Sequence, residues 1–341
     1  MSYPNVIKWL APLGLALLLS GCGRAPVIES ITGHTMGTTY HISWVAQPTS
    51  ESTSQIQAAI DHRLEQVNDS MSNWRQESLI SQFNRQPADT PLLVDADFMA
   101  VIRESVRLHA LTQGTLDITV SPLVDLWGFG PDGRIETAPN DEAIAAARAL
   151  TGLDHLQFEG LNLTKTLPGL TLNLSSVAKG YGVDVVAELL ELRGLDNYLV
   201  EIGGELRVKG VKPDGARWRI AVEQPDSYGR EIAQIIEPGD MAVATSGDYR
   251  IFFEENGERF SHIIDPRSGR PATSRVASAT VLDPSAMTAD GLAMAMIVLG
   301  AEASLALAER EDLAVMLIEK HANGDFEVRY SSAYQPYLME K

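Results

Sequence analysis

Apolar residues recur along this chain in two rhythms, and the switches between them divide it into helices and strands. Ile56, Ile60, Leu64 and Val67 fall three or four positions apart, the spacing of one helix face. That spacing predicts a helix over 55–68, with Ser54 as its N-cap. Phe98, Val101, Ile102, Val106 and Leu108 predict a second helix over 97–112. Further helices are predicted over 141–150 behind Asn140, from the turn at 173–181 to Arg193, over 291–299 and over 301–310. Short alternating or β-branched runs predict strands over 31–45, 114–120, 198–201, 218–222, 232–236, 241–244, 277–282, 314–319 and 326–330. Residues 156–174 read as strand, turn, strand, and Ser121 to Gly130 as an apolar loop with glycine breaks. Mixed helices and strands with many hairpins argue an α+β fold.

The polar residues gather at the joints. Ile251-Phe252-Phe253, Asn256-Gly257 and Arg259 to Ile264 read as a hairpin with a type I′ turn. Polar turns flank it, Thr245 to Asp248 before and Asp265 to Gly269 after. This brings Ser246, Asp248, Arg250, His262, Asp265 and Arg267 into one neighbourhood, as a site or as an ordinary hairpin with solvated turns. Asn173 to Tyr181 is a strand, a small polar turn and a helix N-terminus, which offers free amides to an anion. Lys179 stands in that first turn, where a cation is unfavourable unless it meets an anion. The spacing GxxxxGK[ST] of a Walker A loop is absent. Gly203-Gly204 before Glu205 allows a close backbone approach or a bulge. Trp74 lies in a polar loop, either as a loop anchor or as a stacking platform for a planar ligand. Asp290, among small and apolar residues near a helix start, is either a dipole partner or a metal ligand.

Composition narrows the classes. The 341 residues, 45% hydrophobic and 21% charged, suffice for one large or two ordinary domains. A net charge of −18, without a lysine–arginine cluster, argues against a nucleic-acid partner. An acidic chain that handles an anion needs a metal or helix N-termini to do so. Cys22 is the single cysteine, so no internal disulfide forms. Lys8 and the apolar run Trp9 to Leu19 have the proportions of a signal-peptide core. Leu19-Ser20-Gly21-Cys22 resembles the bacterial lipobox, which implies cleavage before Cys22 and acyl chains on it. Several such chains anchor a protein stably. The expected organisation is a signal peptide over 1–21, a lipidated tether over 22–30 and a catalytic domain over 31–341.

Eight ordered blocks carry a resemblance to a known family: His34 to Thr38; Met71 to Trp74 with Ser78 and Asn84; Asp117 with Pro122 to Gly128; Asn173 to Tyr181 with Asp184; Glu201 to Glu205; Thr245 to Arg250; His262 to Pro271; and Thr288 to Leu292. Across essentially all of the mature sequence the chain resembles the ApbE family, the FAD:protein FMN transferases. The resemblance implies an α+β, T-fold-like architecture, with the site between two intimately packed subdomains if the domain divides. It implies Mg²⁺-dependent cleavage of FAD and attachment of FMN through its phosphate to a threonine, sometimes a serine, with AMP released. Implied acceptors carry Asp-x-x-Ser/Thr-Gly-Ala/Ser-Thr in subunits of the Na⁺-translocating NADH:quinone reductase or Rnf-type complexes. The implied location is the periplasmic side of the inner membrane.

By the family pattern Asp290 is the metal carboxylate and the Ser176 carbonyl a second ligand. The family often has a threonine four residues after that aspartate, where this chain has Met294, a poor Mg²⁺ ligand. The shell is then left to a backbone carbonyl, water or Thr288. Trp74 matches the position that stacks on the flavin, and Met36, Thr115, Leu116, Asp117, Asn173, Lys179 and Ile264 match FAD contacts. His262 is the candidate for proton management or phosphate contact, against a hydrogen-bonded strand histidine as the structural alternative. Asp248 and Arg250 are expected to be structural. Two other activities fit the same residues: an FAD pyrophosphatase with water in place of the acceptor, and a flavin-binding lipoprotein without turnover, which Met294 favours.

Overall fold

The computed structural model describes residues 27–47, 51–131, 133, 135, 137–225, 231–249, 251–255, 258–321 and 323–339. The signal segment, Cys22, Arg250 and the Asn256-Gly257 turn lie outside the described residues.

One eight-stranded sheet runs through the molecule: β1 (Ile28–Thr35), β2 (Thr38–Val45), β3 (Tyr198–Ile202), β4 (Glu205–Lys209), β5 (Ala242–Gly247), β6 (Val276–Asp283), β7 (Ala314–Lys320) and β8 (Phe326–Tyr330). Each strand pairs antiparallel with the one before it in the chain. Complexity enters through what is inserted between strands. Between β2 and β3 come α1 (Thr53–Met71), α2 (Leu79–Arg85), α3 (Ala96–Leu111), α4 (Ser121–Leu126), α5 (Asp141–Arg148) and α6 (Ala178–Glu191). Between β6 and β7 come α7 (Ala286–Leu299) and α8 (Ala301–Glu311).

Burial explains the layers. β6 is buried at seven successive positions, from Val276 to Leu282, and is covered on both faces. On one face lie α1, α6 and α7, with Ile56, Ile60, Leu64 and Val186 packed against Ile42, Val200 and Ile202. α7 is apolar all round and sits between the sheet and α3, its Leu292 and Met296 in one core with Val281, Leu317, Phe98 and Ile102. On the other face Leu206, Val243 and Met316 meet Ile220 and Ile236 of an antiparallel pair (Ile220–Glu223 with Ile232–Ile236). Among the described residues no helix is long and apolar enough to cross a membrane.

Several expectations are corrected. Residues 31–45 form two strands, because Met36 and Gly37 both adopt positive φ, 50° and 71°, and close a two-residue turn. The first strand begins at Ile28, inside the segment expected as tether. The cap of α1 is Ser52, not Ser54, through a capping box with Gln55. Residues 114–120 are not a strand: Thr115 Oγ1 donates to the Thr112 carbonyl, and Asp117 Oδ1 accepts from the Thr119 amide and hydroxyl. These short polar side chains turn the backbone back on itself despite its β-prone composition. Part of the expected apolar loop is α4, with proline in its first turn. Thr245 to Gly247 are no turn but the end of β5, opposite Thr280, Ala279 and Ser278. The hairpin pairs Phe252–Glu255 with Glu258–Ser261, while Ile264 leaves it to pair with Pro271.

The N-termini of α6 and α7 meet head to side. Asp184 of α6 accepts from the amides of Ala286 (2.9 Å) and Met287 (3.0 Å), from Ser285 Oγ (2.7 Å) and from Arg207 Nη1 of β4 (3.0 Å). In return the Gly180 amide of α6 donates to Asp290 Oδ2 of α7 at 3.0 Å. Gly180 permits the approach, since a Cβ there would collide with the Ala286 carbonyl. Asp184→Ala therefore leaves two helix amides without their acceptor and Arg207 with only Glu191, and urea unfolding is expected to show a loss of about 3–5 kcal/mol. Asp184→Asn, which keeps an acceptor oxygen, is expected to lose less.

Candidate functional site

α6 opens at Val177 without a side-chain cap, and the Val177 and Ala178 amides bond the Leu174 carbonyl instead. In a regular helix the Gly180 amide would bond the Ser176 carbonyl four residues back. It bonds Asp290 Oδ2 instead, which sets the Ser176 carbonyl and the Asp290 carboxylate at the same helix end. Asp290 is 3% exposed. Burial pushes its carboxyl up to about 7; Lys179 opposes the rise, Glu205 adds to it and the Gly180 amide opposes it. Lys179 meets its anion in Glu205, with Nζ 2.5 Å from Oε1. Glu205 opens β4 directly after the Gly203-Gly204 turn and is itself buried. Its second oxygen, Oε2, is buried and has no hydrogen-bond partner among the described residues.

The corner is therefore short of positive charge. Its donors are hard oxygens, the class that suits Mg²⁺. Among the described residues no group of three or more histidine, cysteine, aspartate or glutamate side chains converges as a metal cluster. Mg²⁺ does not require one, because it takes one or two carboxylates, keeps several waters and adds substrate phosphates. Thr288 does not complete the shell: its hydroxyl donates to Glu104 Oε1 at 2.6 Å. Two positions before Asp290, it points about 200° around the helix from it. Met294 follows Asp290 by one turn and packs half-buried against the core.

His262 lies just past the hairpin. Its amide and its Nδ1 both lie 3.1 Å from the Ile251 carbonyl. A carbonyl only accepts, so Nδ1 carries the proton and the lone pair is on Nε2. Burial lowers its pKa, the Ile251 bond opposes this and Lys179 lowers it further. The ring is thus a neutral imidazole within the electrostatic reach of Lys179. The other polar residues of that stretch do not converge with it. Arg267 pairs with Asp265 in its own turn, and half-buried Asp248 has its carboxyl raised by desolvation against the opposing charges of Arg259 and Lys320.

The remaining candidates divide by burial. Asn173 donates its amide to the Ile118 carbonyl (2.8 Å), which joins the 115–119 turn to the entrance of α6. Thr115 and Leu116 have buried side chains, so that turn offers backbone groups. Asp117 lies beside them, its Oδ2 3.8 Å from His109 Nδ1. The Met36 side chain reaches α6 and fills the notch at Gly182. The Ile264 side chain is 6% exposed, in a separate cluster with Leu123, Trp127 and Ile144. Trp74 is 73% exposed and so anchors nothing. Its loop is held by neighbours: Asn73 Nδ2 donates to the Leu172 carbonyl at 2.8 Å, and Ser78 Oγ to the Ser72 carbonyl at 2.7 Å. Asn84 grips both the amide and the carbonyl of Leu172. Glu205 was missed as a side chain, although a lysine in a helix's first turn already demands an anion nearby.

Comparison with known proteins agrees with this geometry. A model of the ApbE family matches residues 36–317. The FAD:protein FMN transferase of Vibrio cholerae is 49% identical over 333 residues, 98% of this chain and 99% of the relative. That of Haemophilus influenzae is 43% identical over 344 residues, 99% of each. The structure of the flavin transferase ApbE from Vibrio cholerae superposes with a TM-score of 0.86 at 48% identity, covering 92% of this chain and all of that one. The apo flavinyl transferase ApbE of Pseudomonas stutzeri gives 0.85 at 40% identity, covering 92% and 97%. With the family model matched over residues 36–317 and these relatives aligned over nearly the whole chain, the α+β protein belongs to the ApbE family.

Proposed function

We propose that this chain is an FAD:protein FMN transferase that cleaves the FAD pyrophosphate and moves FMN onto a hydroxyl of an acceptor protein. The observation that carries the reading is the corner where Asp290, the Ser176 carbonyl and Lys179 meet at the N-terminus of α6. A threonine or serine oxygen of the acceptor bonds to the flavin-side phosphorus as that phosphorus loses its bridge to AMP. The hydroxyl proton passes to Nε2 of His262, whose tautomer is set by Ile251. The Lys179 ammonium holds the phosphates in line for the displacement. Held by Asp290 and the Ser176 carbonyl, Mg²⁺ would neutralise charge on the pyrophosphate oxygens. The exposed, rigidly mounted Trp74 supplies a face for the flavin ring. The acceptors proposed are the threonine-motif subunits of Na⁺-translocating NADH:quinone reductase or Rnf-type complexes. Lipidation at Cys22 would hold the enzyme on the periplasmic side of the inner membrane.

The reading is tested by incubating the protein without residues 1–22 with FAD, Mg²⁺ and an acceptor domain bearing the motif. A mass gain of one FMN on the acceptor is expected, lost in Asp290→Ala and without Mg²⁺. FMN and AMP released with no labelled acceptor would instead make the protein a pyrophosphatase.

His262→Gln is expected to slow transfer by about 10²- to 10⁴-fold, the range of a lost general base. At saturating Mg²⁺, which keeps Asp290 ionised, the wild-type rate should hold as pH falls through 6.5, because the folded imidazole ionises below its ordinary value, and decline only at lower pH. Initial rates from pH 5 to 8 check both outcomes.

Cys22→Ala is expected to shift the full-length protein from the membrane pellet to the soluble fraction on cell fractionation. Persistence in the pellet would point to an uncleaved N-terminal anchor.

A further inference from the structure

Lys179 occupies a place that opposes its charge. It lies in the first turn of α6, where the helix dipole is already positive. An ammonium there is mobile on a four-carbon stem unless something fixes it. Glu205 does so from a different element, with Oε1 at 2.5 Å. Its own place is rigid: it follows two positive-φ glycines, Gly203 at 61° and Gly204 at 108°. A Cβ at Gly203 would lie 2.7 Å from Thr38 Cγ2, so the turn is pressed against β2. Glu205 is 3% exposed, and Oε2 has no hydrogen-bond partner among the described residues. A buried carboxylate oxygen without a donor costs stability. Stability alone therefore does not account for this carboxylate.

We infer that Glu205 is a positioning residue of the transfer reaction, a fixed strut from the sheet that holds the Lys179 ammonium beside Asp290, aimed at the substrate phosphates. The inference rests on the transferase reading above. Glu205 itself touches no substrate in this role; it acts through Lys179. The rigid side of the pair is the sheet, the mobile side is the lysine stem, and the ion pair removes the lysine's freedom before substrate arrives. A carboxylate that merely supported the fold would affect stability without regard to Lys179. One that contacted substrate would matter whether or not the lysine were present.

A double-mutant cycle separates these roles. The rate of FMN transfer to the acceptor domain, thermal unfolding, and the dissociation constant for FAD from flavin fluorescence without metal are measured for wild type, Glu205→Gln, Lys179→Met and the double variant. Glu205→Gln is expected to lower kcat about tenfold to a hundredfold, the cost of a misplaced charged group. FAD affinity should stay within about threefold, because Lys179 keeps its charge in the variant and only its placement is loosened. In the Lys179→Met background the same change should cost nothing, or recover part of the rate by removing a stranded carboxylate. Equal losses in both backgrounds, or a Glu205→Gln enzyme as fast as wild type, would overturn the inference. Should Glu205→Gln not fold, Glu205→Asp runs the same cycle: the charge is kept on a shorter arm, and its smaller loss must also vanish without Lys179. A wild-type protein that labels no acceptor would instead sink the transferase reading itself.

Discussion

Two carboxylates, each on one helix and bonded to the first amides of the other, hold the working corner of this molecule together. Asp184 reaches from α6 to the start of α7, and Asp290 from α7 to the start of α6. Without them two positive helix ends would face each other across the Gly180 contact. With them each end is neutralised by the partner, and α6 is fixed against α7 to within a hydrogen bond. The two aspartates nevertheless differ in what is left over. Asp184 accepts four donors, including Arg207, and is spent on structure. Asp290 is more deeply buried and has its proton affinity raised, the condition of a carboxylate still short of positive charge. Residue type is the same; saturation decides the role.

In the proposed reaction a chain of net charge −18 has to handle a pyrophosphate, and this division fits that task. The global charge does not reveal the local field, and the cations that count here are placed rather than numerous. Lys179 adds a point charge at the start of α6, and Glu205 takes its measure from the sheet. His262 sits within reach of Lys179, which helps keep the imidazole neutral and able to accept a proton. The groups depend on one another, so replacing one is felt by the rest.

The sequence made the long elements plain and the short ones unreliable. Periodicity located α1, α3 and α8 and the closing strands to within a few residues, because burial of one face dictates their pattern. It failed where side chains bond their own backbone. Thr115, Asp117 and Thr119 look β-prone yet form a turn, and Thr245 to Gly247 look like a turn yet finish a strand. Met36 hides a hairpin because a methionine seldom takes positive φ. Asp290, Ser176 and Lys179 were legible through their blocks, and the structure places them at one helix end. Glu205 was visible only as a backbone feature, since its partner lies 26 positions earlier and pairing across elements leaves no local pattern. Asn73, Ser78 and Asn84 belong to the same blocks but serve to hold the segment at Leu172 and the Trp74 loop.

The claim that FAD is cleaved at this corner is tested most directly by a crystal grown with FAD and Mn²⁺ in place of Mg²⁺, examined by anomalous scattering. The expected result is a metal peak bound by the Asp290 carboxylate and the Ser176 carbonyl, with the pyrophosphate beside Lys179. A metal bound elsewhere, or a pyrophosphate remote from the start of α6, would contradict it.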